Sequence, residues 1–240
     1  MAPRFLLLQA RDDGDPMLAQ EKTCFASAAE IDENEIATHN LALGPPTVAA
    51  VHEHRALLIG GSGEYLVSER NLPGFDQLMG IFRDVAETGF PTFASCFGFQ
   101  TMVEALGGRI VFDADNAEVG TYEVRLTAEG ESDSLVGILP PVFLAQQGHK
   151  DRAASLPPGA VHLASSGLAP FQAFRLPGKP IWATQFHPEL TRDTNVERFE
   201  TYRAKYRGHL ELDDAGVEKV SFAESPEPTR LLPEFLRCLA

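Results

Sequence analysis

The stretch Phe90-Pro91-Thr92-Phe93-Ala94-Ser95-Cys96-Phe97-Gly98-Phe99-Gln100 decides how this chain is read. Phe90 to Ser95 is short, apolar and preceded by a glycine, which predicts a buried parallel strand. From Phe99 onward, Gln-Thr-Met-Val-Glu-Ala-Leu has helical spacing and stops at Gly107-Gly108. Cys96 therefore sits at a strand-to-helix elbow. Ala94 and Gly98, two positions to either side, are small enough for so tight a bend. Such a turn lifts the thiol above the sheet and aims the Phe97 amide at the place where a tetrahedral oxyanion forms. The helix N-terminus behind it favours a thiolate.

Gln185-Phe186-His187-Pro188-Glu189 lies further along the chain. Cys96, His187 and Glu189 together supply a nucleophile, a base and an acid that orients the base. That is the minimum set for acyl transfer through a thioester. Pro188 stiffens the backbone between His187 and Glu189.

Working outward, strands are expected at Arg4–Gln9, Ile36–Asn40 and Ala56–Ile59, with helices at Met17–Ala29 and Gly74–Glu87 and a short segment at Val48–Val51. In the second helix Phe75, Leu78, Met79, Phe82 and Val85 form one apolar stripe. Strand and helix alternating in this order predict an α/β fold: an open, mostly parallel sheet with helices on both faces. After Gly108 the runs Arg109–Phe112, Thr121–Thr127, Val142–Ala145, Val161–Ala164, Phe171–Leu176 and Ile181–Gln185 are strand-like and separated by Gly and Pro. They predict an antiparallel section attached to the parallel core. Helices are expected at Thr194–Tyr206 and Leu231–Leu239, with an acidic, poorly patterned stretch at Gly208–Pro228. The division expected is a domain over residues 1–207 and a C-terminal extension over 208–240.

The chain has 240 residues, an ordinary size for one domain, and is 44% hydrophobic. It has no apolar run near the ~20 residues of a membrane span. The N-terminal Arg-Phe-Leu-Leu-Leu-Gln is too short for a signal peptide's apolar region and reads as a core strand. Three cysteines argue against a disulfide framework and point to a reducing cytoplasm. A net charge of -14 makes nucleic acid an unfavourable partner and a membrane surface is not indicated either. No metal or cofactor is expected, because the histidines lack ligand spacing and Cys24 and Cys238 have no C-x-x-C companion. Dinucleotide and phosphate-loop fingerprints are also absent from the sequence.

The pattern C-x-G-x-Q at Cys96–Gln100, the later His187-Pro188-Glu189 and the glycine turn Gly60-Gly61 after a strand resemble the class I glutamine amidotransferase family. More narrowly they resemble GMP-synthase-like members that stand alone. The likeness runs from the strand near Phe5 to about Glu189. It implies a flavodoxin-like architecture and hydrolysis of the γ-carboxamide of glutamine, releasing glutamate and ammonia for a separate synthetase partner. In these terms Cys96 is the nucleophile, His187 the base and then the acid for departing ammonia, and Glu189 the group that fixes the imidazole. The resemblance places oxyanion donors at Gly61 and Phe97 and puts Gln100 against the bound glutamine. Gly148-His149-Lys150-Asp151 resembles the His-x-Asp of GMP-synthase-type glutaminase domains, with Asp151 meeting the substrate's α-ammonium and His149 ordering the loop. That family usually has Gly where Lys150 stands, and often Pro where Ser62 stands.

Two other readings stay open on sequence grounds. One is a γ-glutamyl peptide hydrolase or transpeptidase using the same triad without ammonia delivery. The other is a non-catalytic regulatory protein on the same scaffold.

Overall fold

The computed structural model describes residues 3–210 and 220–239. In chain order the strands are β1 (Phe5–Ala10), β2 (Ile36–Asn40), β3 (Ala56–Ser62), β4 (Thr92–Ser95), β5 (Arg109–Phe112), β6 (Glu118–Leu126), β7 (Val142–His149), β8 (Asp151–Ser155), β9 (Val161–Ser166), β10 (Ala173–Arg175) and β11 (Ile181–Thr184). The helices are α1 (Met17–Ala29), α2 (Val48–His52), α3 (Phe75–Thr88), α4 (Phe97–Ala105), α5 (Ala128–Glu131), α6 (Arg192–Leu210) and α7 (Leu231–Arg237).

β1 is buried along its whole length because successive side chains serve opposite faces of the sheet. Leu6 and Leu8 enter one apolar cluster with α3 and α4, and Phe5 and Leu7 enter a second with α1 and α7. β3 divides the same way, with Leu57 and Ile59 on the first side and Ala56 and Leu58 on the second. Helices thus cover both faces, as the sequence pattern requires. At roughly 1.5–3 kcal/mol for each fully buried large apolar side chain, these two clusters supply most of the drive to fold.

One sheet of nine strands runs β2-β1-β3-β4-β11-β10-β9-β6-β7. From β2 to β11 all neighbours are parallel. From β11 to β7 all are antiparallel. β5 and β8 form a separate antiparallel pair. The expected α/β fold is therefore present, and its antiparallel section continues the parallel sheet rather than standing apart from it.

Local differences have local causes. The short segment expected at Val48–Val51 is a short helix, Val48–His52, capped by the Thr47 hydroxyl. β7 runs past Ala145 to His149, and β8 starts at Asp151, where the sequence pattern suggests a loop. Their polar residues Gln146, Gln147, His149 and Asp151 are buried against polar partners, which masks the apolar signal. Within Gly208–Pro228, residues 211–219 lie outside the described part. Residues 220–225 cross β6, where the Thr121 N–H donates to Ser221 O and Gln146 Nε2 donates to Ala223 O and Ser225 Oγ. Leu231, Leu232 and Phe235 of α7 are buried in the second cluster.

Candidate active site

Cys96 links β4 to α4 with φ 49° and ψ -100°, a backbone that a residue with a side chain adopts only under strain. The bend depends on Gly98. A Cβ there would lie 2.7 Å from Ile59 Cβ and 2.9 Å from the Ile59 carbonyl oxygen, so only glycine lets α4 approach β3. The Phe97 N–H is the first of α4, and amides at that position have no partner within their own helix.

β11 pairs with β4 in register, Thr184 opposite Ser95, and the Cys96 N–H donates to Thr184 O at 2.8 Å. His187 leaves the end of β11 and comes close enough to Cys96 for the two side chains to interact. Its Nδ1 meets Glu189 Oε1 at 2.6 Å. All three groups are buried. Burial alone would disfavour the imidazolium, but Glu189 and Cys96 prevail, and the His187 pKa is pushed up to about 9. Burial also works against the Glu189 charge. The His187 charge and hydrogen bond, with Arg198, reverse that and hold this carboxyl below the usual carboxylate range. Arg198 Nη1 stands 3.6 Å from Glu189 Oε1.

The sequence-predicted residues are thus brought together, but two of them are already engaged. The Gly61 N–H, expected as an oxyanion donor, donates instead to Glu21 Oε1 at 3.0 Å. Glu21 is fully buried, pairs with buried Arg11 at 2.8 Å, and its carboxylate also accepts from Gln9 Nε2 and the Gly61 N–H. Gly60 makes room for it, since a Cβ there would lie 2.5 Å from Glu21 Oε1. The Asp151 carboxylate, expected to face a substrate ammonium, accepts from the Ser68 hydroxyl at 2.6 Å and the Ser68 N–H at 2.9 Å.

Gln100 donates through Nε2 to Asp151 O at 2.9 Å. His149 is buried, with Nε2 3.0 Å from Glu118 Oε2 and Nδ1 3.1 Å from Asp151 O. These residues brace the wall of the cavity that Cys96 opens into. That cavity measures about 30 Å³, and residues 62–66 line one side of it.

Sequence reasoning missed Gln185, whose Nε2 lies 3.8 Å from the Cys96 sulfur, and also Glu21 and Arg198. Gln185 stands two residues before His187, and that position was the available signal. Among the described residues no helix is long and apolar enough to cross a membrane.

A strand–elbow–helix carrying a thiol, beside an imidazole and a carboxylate at the end of the next parallel strand, defines a class of cysteine-dependent acyl-transfer sites. The chain belongs to the glutamine amidotransferase class-I family, whose model matches residues 33–200. It is 34% identical over 130 residues to a subunit of the glutamine-hydrolyzing GMP synthase of Methanosarcina barkeri, covering 54% of this chain and 66% of that one. It is 30% identical over 138 residues to the glutamine-hydrolyzing GMP synthase of Vibrio cholerae, covering 58% of this chain and 25% of that protein. The chain thus spans a quarter of the length of that relative. The fold matches a glutamine amidotransferase from Methylobacillus flagellatus with a TM-score of 0.75 at 18% identity, over 100% of this chain and 96% of the other.

Proposed function

We propose that this chain hydrolyses the γ-carboxamide of glutamine through a thioester on Cys96. The observation that carries the reading is His187 standing between the Cys96 thiol and the Glu189 carboxylate, at the mouth of a parallel sheet. Cys96 attacks the amide carbon as thiolate, with its proton held on His187. The tetrahedral oxyanion forms near the Phe97 N–H. His187 returns the proton to the nitrogen, the C–N bond breaks and ammonia leaves. Water then attacks the thioester, again losing a proton to His187, and glutamate departs with the Cys96 thiol restored. Glu189 holds the imidazole in one tautomer and offsets its charge throughout.

The Phe97 amide is one oxyanion donor. Gly61 becomes the second only when its peptide turns from Glu21 toward the thiol, so the resting arrangement supports slow turnover. Ammonia passing to a separate synthetase fits this reading, because docking of a partner is one event able to turn the Gly61 peptide. The likeness to one chain of a GMP synthase supports that kind of partner.

The test is glutamate release by the purified chain from glutamine and, in parallel, from γ-glutamyl dipeptides, with Cys96→Ala as control. Slow glutamine turnover without peptide cleavage, lost in Cys96→Ala, is the expected result. Preferential cleavage of peptides replaces this reading with the γ-glutamyl hydrolase. Turnover retained in Cys96→Ala overturns the thioester.

A further inference from the structure

Lys150 enters the cavity that Cys96 opens into, and it has no part in the chemistry just described. It occupies the turn between β7 and β8 and is held on each side. His149 is bonded to Glu118, Asp151 is bonded to Ser68, and the Lys150 carbonyl accepts from the Asp113 N–H at 3.0 Å. Its backbone is therefore set by ordered neighbours. The residue is 7% exposed. Burial pulls its pKa below the ordinary lysine value, and the negative charges of Asp151, Cys96 and Glu69 only partly offset this.

Among the described residues lining this cavity, Lys150 is the only Lys or Arg, while Glu64 and Asp151 are acidic. One cation with two carboxylates complements a zwitterionic α-amino acid. In glutamine the α-carboxylate carbon lies four bonds from the amide carbon, about 5 Å away when extended. Lys150 and Cys96 line the same small cavity.

We propose that Lys150 recognises the α-carboxylate of the γ-glutamyl substrate and is a specificity-determining residue of this site. The assignment rests on the reading of Cys96 as the nucleophile toward a γ-carboxamide. An ammonium that only steadied the thiolate would affect all electrophiles alike. One that binds carboxylate affects only those that carry it.

The experiment compares L-glutamine with L-glutamine α-amide, in which the α-carboxylate is a neutral carboxamide. KM and kcat are measured for the wild-type chain, Lys150→Met and Lys150→Arg. Iodoacetamide alkylation of Cys96 serves as the carboxylate-free control. Calorimetric binding of both ligands is measured in Cys96→Ala, alone and combined with Lys150→Met. In the wild type kcat/KM is expected to favour glutamine by about 10- to 100-fold, the range of one charge-assisted contact. Lys150→Met should bring that ratio close to one, mainly through KM, with alkylation little changed and Lys150→Arg recovering part of the preference. An unchanged ratio in Lys150→Met overturns the proposal, as does an equal fall in both substrates and in alkylation. If the wild type turns over neither amide, the glutaminase reading fails on its own and binding decides the recognition. Carboxylate-dependent binding lost with Lys150→Met upholds it, and binding indifferent to the carboxylate overturns it.

Discussion

Glu189 Oε1 lies 2.6 Å from His187 Nδ1, with both side chains buried and Arg198 behind the carboxylate. The pair makes the imidazole an unusually persistent acid. Its pKa of about 9 stands above the ordinary 6.5, so the protonated form survives well into alkaline solution. Turnover that needs this proton for ammonia should hold toward pH 9 and fall above it. Glu189→Gln removes the charge that raises the pKa, so the alkaline limb should move to lower pH and kcat should drop by about 10²–10⁴-fold. Rate profiles of the two proteins settle it. An unmoved limb would mean Glu189 does not govern His187. The same shift stabilises the fold below about pH 6.5, and that contribution is lost as pH rises through about 9.

The backbone of Cys96 is strained at φ 49°. Cys96→Gly should abolish turnover yet stabilise the fold by about 1 kcal/mol, since glycine accepts this region without a Cβ clash. Denaturant titration beside a glutamate-release assay gives both numbers. Destabilisation by Cys96→Gly would show that the thiol's contacts outweigh the strain.

Arg11 and Glu21 are both fully buried and paired at 2.8 Å. Glu21→Leu leaves a buried guanidinium without its partner and should cost about 3–5 kcal/mol, or on the order of 10 °C in Tm. Combining it with Arg11→Met should recover a large part of that loss. Equal losses in the single and double variants would contradict the pairing.

Ser68 fastens the segment that follows the cavity-lining residues 62–66 to Asp151 through two hydrogen bonds, one from its hydroxyl. Ser68→Ala removes that bond and should speed alkylation of Cys96 by a bulky iodoacetamide several-fold, as expected from about 1 kcal/mol of net hydrogen-bond loss. Rates for small and bulky reagents should converge. Unchanged rates would mean that another contact controls access.

The elbow and the His187-Pro188-Glu189 triplet were legible because their chemistry is written in adjacent residues. The alternation of strand and helix likewise announced the parallel half, since β1 and β3 are apolar on both faces. The pairings that qualify the site were not legible. Glu21 meets Gly61 and Ser68 meets Asp151 across long separations, and no local pattern reports which buried polar group finds which. Arg198 sits on α6, which reads as a charged surface helix, and it turns inward to Glu189 and Gln20. The extent of β7 and β8 was hidden for a related reason: the residues that bury there are polar.

The register of β4 and β11 bears on more than topology. Because Thr184 lies opposite Ser95 and binds the Cys96 amide, the gap between thiol and imidazole is inherited from the spacing of two backbones. Turnover is then a gauge of the sheet's integrity. A substitution deep in the core that lets these strands slide should silence the chain while its helices, and most of its circular dichroism, remain.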